Sequence, residues 1–133
     1  MEYVIISDQE DRIIKLGWSR GKRYADEVSK GLDPWWDFHV IVKKPCINYD
    51  CVSESMTESE LLDLIDCIYK SREVDIFHET GPCFMEPDYD FTMSEFHGIL
   101  SINVNYADSI RIWLKREQLD SIAEYLKKAL QLS

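Results

Sequence analysis

The 133-residue sequence has no apolar run able to cross a bilayer: its longest, Tyr3-Val4-Ile5-Ile6, is four residues, against the roughly 20 a spanning helix needs. The first residues lack the basic-then-apolar order of a secretory signal. Basic residues are scarce, 15 Lys and Arg against 25 Asp and Glu, so the chain carries a net −10. That sign opposes generic binding to a phosphate backbone. Glycine is sparse too, at five residues, and no Walker loop, dinucleotide fingerprint, Gly-x-Ser-x-Gly elbow or His-Glu-x-x-His motif occurs. These absences point away from a membrane protein, a secreted precursor and a nonspecific nucleic-acid binder. They leave no motif for an enzyme, a cofactor or a small-molecule substrate.

Cysteine is present but patterned for nothing obvious. Without an export signal, Cys46, Cys51, Cys67 and Cys83 read as reduced thiols of a cytoplasmic protein. Cys67 falls in a helical apolar pattern and is expected in the core. Cys46-x4-Cys51 and His78-x4-Cys83 supply two equal pairs of zinc-type ligands, but structural zinc sites favour tighter knuckles. The pairs are therefore read as ordinary half-buried thiols, with no metal. The three histidines, His39, His78 and His97, each lie on or beside a strand-like stretch, where packing is the commoner role. No serine or cysteine is singled out as a nucleophile, and the chain is read as a non-enzyme with no catalytic residues.

The acidic excess is concentrated. Between Pro45 and Glu95 there are thirteen acids and two bases, Lys70 and Arg72, a balance of −11, whereas the rest of the chain stands at +1. Clustered like charge destabilises a compact state, and steering a basic partner is one reason to keep it. Alternation places Glu86, Asp88 and Asp90 on one strand face, which resembles an acid/base set but reads more simply as a charged edge. Trp35-Trp36 and Trp113 are the aromatic candidates. Adjacent residues on a strand point to opposite faces, so one of the first pair can be exposed, and exposed tryptophan is enriched at binding hot spots.

Two segments read as helices. Thr57-Glu58-Ser59-Glu60 has the form of a capping box, followed by Leu61, Leu64, Ile65 and Ile68 at helical spacing. The second runs from about Arg116 to Leu130 on Leu119, Ile122, Ala123, Leu126 and Leu130. Period-two alternation predicts strands at Tyr3–Ile6, Ile13–Trp18, Trp36–Val42, Ile47–Cys51, Val74–His78, Tyr89–Met93, Leu100–Tyr106 and Ile110–Leu114. Ala107-Asp108-Ser109 reads as a turn, and residues 19–34 as irregular, with a basic loop at Arg20-Gly21-Lys22-Arg23. The expected fold is α+β: about eight antiparallel strands with two amphipathic helices in one domain, 1–133. A faint echo at a spacing of 58 residues (Phe38-His39 with Phe96-His97, Leu61 with Leu119, Leu64 with Ile122, Ile68 with Leu126) fits two strand-helix halves.

Phe84-Met85-Glu86-Pro87-Asp88-Tyr89-Asp90-Phe91 has the form Phe-x-Glu-Pro-(Asn/Asp)-apolar-x-Phe. It follows a Thr-x-x-Glu-Leu helix and precedes a strand pair and a closing amphipathic helix. In this motif and order the chain resembles the WapI family of immunity proteins over about residues 35–131. The resemblance implies a cytoplasmic protein that captures and neutralises a cognate bacterial toxin domain, with no chemistry of its own. A toxin that cuts nucleic acid would be basic, which suits the acidic excess. Asp63, Asp66, Glu86, Asp88, Asp90 and Trp35 are the expected partner contacts. The alternative is a small intracellular regulatory or scaffold domain using the same surface.

Overall fold

A computed structural model of the chain describes residues 2–80, 87–104 and 109–132. The alternating stretches form two separate four-stranded antiparallel sheets, each in simple sequence order. The first contains β1 (Val4–Gln9), β2 (Arg12–Arg20), β3 (Trp35–Lys44) and β4 (Ile47–Thr57). The second contains β5 (Ile76–Thr80), β6 (Asp88–Met93), β7 (His97–Asn103) and β8 (Ser109–Lys115). The helices are α1 (Tyr24–Ser29), α2 (Glu58–Lys70) and α3 (Arg116–Ala129). This is an α+β fold. The chain divides into two compact units, residues 1–58 and 59–133. In sequence order each meander is followed by a helix, but α2 beyond Glu58 falls in the second unit, so the two units are not matching strand-helix halves.

In the first unit, Leu16, Trp18, Trp36, Phe38, Val40, Val42 and Met56 are essentially inaccessible. They come from alternate positions of β2 and β3 plus the end of β4, which is what one buried sheet face requires. Trp18 stacks on Phe38 with ring centroids 4.6 Å apart, and its indole N–H donates to the Met56 sulfur at 3.3 Å. A β-bulge skips Ser55: Trp36 pairs with Met56 but Asp37 with Glu54. β4 thus continues past Cys51, where the sequence pattern was expected to stop, because Val52 to Ser55 alternate around this bulge and not around an apolar stripe.

Residues 19–34 are not irregular throughout, since they include the short helix α1. Two carboxylates, buried Glu27 and half-buried Glu58, secure this region. Glu27 accepts the Trp35 backbone N–H at 3.2 Å, and Glu58 accepts the Tyr24 hydroxyl at 2.8 Å and the Trp36 indole N–H at 3.3 Å. Gly21 donates its N–H to the Trp35 carbonyl. A Cβ there would lie 2.7 Å from that oxygen, so the close approach requires glycine.

In the second unit, Tyr89, Phe91, Met93, Leu100, Ile102, Ile112 and Leu114 form the buried sheet face. Leu61, Leu64, Ile65 and Ile68 of α2, and Leu119, Ile122, Ala123 and Leu126 of α3, are the buried helix stripes. These are the stripes the spacing predicts, except that Leu130 is half-buried and caps α3 instead of joining its stripe. Helix α3 crosses β7 at Gly98, where a Cβ would lie 3.0 Å from both Leu119 methyl carbons. Arg116, at the start of α3, ties the helices together. Its guanidinium donates to the Ile68 carbonyl at 2.6 Å, the Ser71 hydroxyl at 2.8 Å and the Ser94 carbonyl at 3.2 Å. A cation at the carbonyl end of α2 also suits that helix's dipole.

β5 begins at Ile76 and not Val74, because Glu73 and Val74 still donate to the Lys70 carbonyl in the turn that ends α2. β7 starts at His97, and Ser109 opens β8 and is not a turn residue. Tyr106, Ala107 and Asp108 lie outside the described residues.

Candidate functional site

The helices occupy one face of the second sheet and leave the other to alternate, outward residues. The register aligns these in rows across the strands. Phe77 pairs with Thr92, Thr92 with Ile99 and Ile99 with Trp113, one row through all four strands. At the usual strand spacing this row crosses about 14 Å. Its ends are large exposed aromatics: Phe77 is 63% and Trp113 59% accessible. The adjoining row is Glu79, Asp90, Ser101 and Arg111, and beyond it Asp88 pairs with Asn103. On the other side His97 stacks on Trp113, rings nearly parallel at 4.1 Å.

Asp88 and Asp90 share one face of β6, so their charges are neighbours. Asn103 donates a side-chain N–H to Asp90 at 3.0 Å. The Oδ1 atoms of both aspartates are buried without a partner among the described residues. Burial first, and the Asp90 charge second, push the Asp88 carboxyl above its ordinary range. Among the described residues these carboxylates are short of donors, and an incoming cation would offset their mutual repulsion.

At the far end of the same sheet, a cleft of about 410 Å³ is lined by Asp75, Phe77, Thr92, Met93 and His97 among others. A neighbouring hollow of about 400 Å³ is walled by Glu73, Asp75, Glu95 and the 75%-exposed Phe96. Carboxylates thus rim an aromatic depression, an arrangement suited to a partner carrying both cationic and apolar groups. The unit bearing it, residues 59–133, holds fourteen acids and seven bases.

The expected contact residues fall in different places. Asp88 and Asp90 come together on the outward sheet face. Asp63 and Asp66 lie on α2, which packs on the opposite face; Asp66 pairs with Lys70 at 2.7 Å, and Asp63 reaches His78 Nε2 at 3.0 Å. Trp35 belongs to the first unit, half-buried on β3, while Trp36 beside it is 2% exposed. Glu86, with Phe84 and Met85 of the family-like motif, lies outside the described residues. The phase of β8 does mark Trp113: with Ile110, Ile112 and Leu114 turned inward, Trp113 must face out. Phe77 and the acids around the cleft carried no such local signal.

The histidines and cysteines also find their settings. His39 bridges the Tyr3 hydroxyl at 2.9 Å and the Asp50 carboxylate at 2.6 Å. Cys46 is exposed, Cys51 half-buried, and both are free thiols. Cys67 is half-buried and not in the core. Cys83 lies outside the described residues, so the Cys46, Cys51, His78, Cys83 set is not assembled among those described. No described helix is long and apolar enough to cross a membrane. No family model, curated protein or solved structure was found to match the chain.

Proposed function

We propose that this is an immunity protein that binds and neutralises a basic toxin domain, and that the outward face of β5–β8 is the surface it uses. The reading is carried by one juxtaposition: the exposed Phe77–Trp113 row beside the neighbouring charges of Asp88 and Asp90 on the same outward face. Exposed aromatics contribute apolar area at little entropic cost, and unpaired carboxylates select a partner with Arg or Lys at matching positions. Net charge −10 speeds encounter with such a partner. Capture needs no bond-making step, because a nuclease is silenced once carboxylates occupy the surface meant for phosphates.

A partner seated on the sheet meets Asp88 and Asp90 directly. Asp63 and Asp66, across the sheet on α2, then act through long-range attraction and not through contact. Toxin and inhibitor would meet in the cytoplasm of the cell that makes both.

The test begins with the DNA flanking the gene. An upstream reading frame with an export signal and a basic C-terminal domain supplies the partner, and surface plasmon resonance measures its binding to the full chain. Nanomolar binding, with protection of cells expressing that domain, supports the proposal. No such neighbour, or no binding to the neighbour's domain, overturns the immunity reading.

A further inference from the structure

We propose that Asp63, Cys67 and His78 form a binding site for one zinc ion, independent of the partner-binding face. Asp63 and Cys67 are four residues apart on α2 and so stand on the same helix face. His78 is the central residue of β5, turned toward the helices and 6% exposed. One ligand atom from each of the three lies within 4.8 Å of the others. Ligands of a tetrahedral zinc ion stand about 3.3–3.7 Å apart, given metal–ligand bonds of about 2.0–2.3 Å. The Asp63–His78 pair, at 3.0 Å, would open slightly, and no other pair needs to close by more than about 1 Å.

The donor set is selective. A thiolate, an imidazole and a carboxylate suit zinc and disfavour magnesium or calcium, which want oxygen alone. Three protein ligands leave a fourth position for water, and the exposure of Asp63 gives an ion a way in. His78 presents Nε2 to Asp63 at 3.0 Å, so the buried strand and the exposed helix face already converge at this point.

A cysteine nucleophile activated by His78 fits less well. Burial, then the charges of Asp63 and Asp66, raise the Cys67 thiol above its ordinary range, the reverse of what a reactive thiol requires. The same surroundings favour a cation. Zinc offsets the two carboxylates and displaces the thiol proton, forming the Zn–S bond and releasing one proton to solvent.

The full chain, reduced and stripped with chelator, is titrated with cobalt(II) as a spectroscopic probe and then with zinc. The site predicts one equivalent bound, a thiolate-to-cobalt charge-transfer band in the near ultraviolet, and displacement of that band by zinc. Cys67→Ser should abolish the band, and Asp63→Asn should weaken binding at least tenfold. Both residues are solvent-accessible, so both variants should retain the wild-type circular dichroism spectrum. His78→Gln should weaken binding as well, but its burial makes it the secondary probe. Absence of the band in the wild type overturns the site. A band that survives Cys67→Ser also overturns it, since the thiolate would then come from another cysteine.

Discussion

His78 Nε2 lies 3.0 Å from the Asp63 carboxylate, joining a buried strand residue to an exposed helix residue fifteen positions earlier in the chain. The imidazole has no other partner among the described residues, its Nδ1 being bare. Among the described residues, Asp63 is thus the one polar group through which this ring is satisfied. With chelator present, Asp63→Ala should cost about 1–2 kcal/mol by leaving the ring unpaired. Asp63→Asn, which keeps an acceptor, should cost less. Urea unfolding of the two variants checks the order.

Arg116 should be the most costly single polar side chain to remove from the second unit. It is 18% exposed and holds the end of α2, the turn after β6 and Asp120 of its own helix. Arg116→Ala removes the cation from which the Ile68 carbonyl and the buried Ser71 hydroxyl both accept, leaving only the hydrogen bond from that hydroxyl to that carbonyl, at a predicted cost of about 2–3 kcal/mol. Arg116→Lys should recover only part of this, because an ammonium lacks the planar fork that serves several acceptors at once. Equal stability of wild type and Arg116→Ala in urea would contradict the assignment.

The pH dependence of stability should carry the mark of Asp88. Its carboxyl is held above the ordinary aspartate value, by burial first and Asp90 second. The folded chain then binds that proton more tightly than the unfolded chain does. The contribution of Asp88 to stability is therefore fullest below the unfolded value and is lost as pH rises through the folded one. Asp88→Asn, neutral throughout, should be more stable than wild type at pH 7, with the gain shrinking toward pH 3. Urea midpoints at the two pH values decide it, and an Asn variant no more stable at pH 7 would contradict the desolvated pair.

Local pattern carried the strands and the two long helices well, and for a physical reason. Trp36, Phe38, Val40 and Val42, or Leu100 and Ile102, are apolar because one face of their strand is buried, and that demand repeats every two residues. Helix α1 is six residues long, too short to display a stripe, so Tyr24 to Ser29 look like loop. Alternation made Asp88 and Asp90 legible as one strand face, but not which acids of other elements share that face. Only the pairing of β5 with β6 sets Glu79 beside Asp90, and only the packing of α2 sends Asp63 to the other side. The Asp63–Cys67 spacing was visible in the sequence, whereas the arrival of His78 beside it depends on tertiary structure.

The outward face of β5–β8 as binding surface is tested most directly by association kinetics with a basic toxin domain, should one be encoded beside this gene. Trp113→Ala and Phe77→Ser replace exposed side chains, so the unfolding free energy should change by no more than about 0.5 kcal/mol. The account predicts that each nonetheless weakens binding at least tenfold. The Asp88→Lys/Asp90→Lys double variant should slow association and flatten its salt dependence, while Asp66→Lys on α2 should change association several-fold less. Equal effects from Asp66 and the β6 aspartates, or unchanged binding by the Trp113 variant, would place the interface elsewhere.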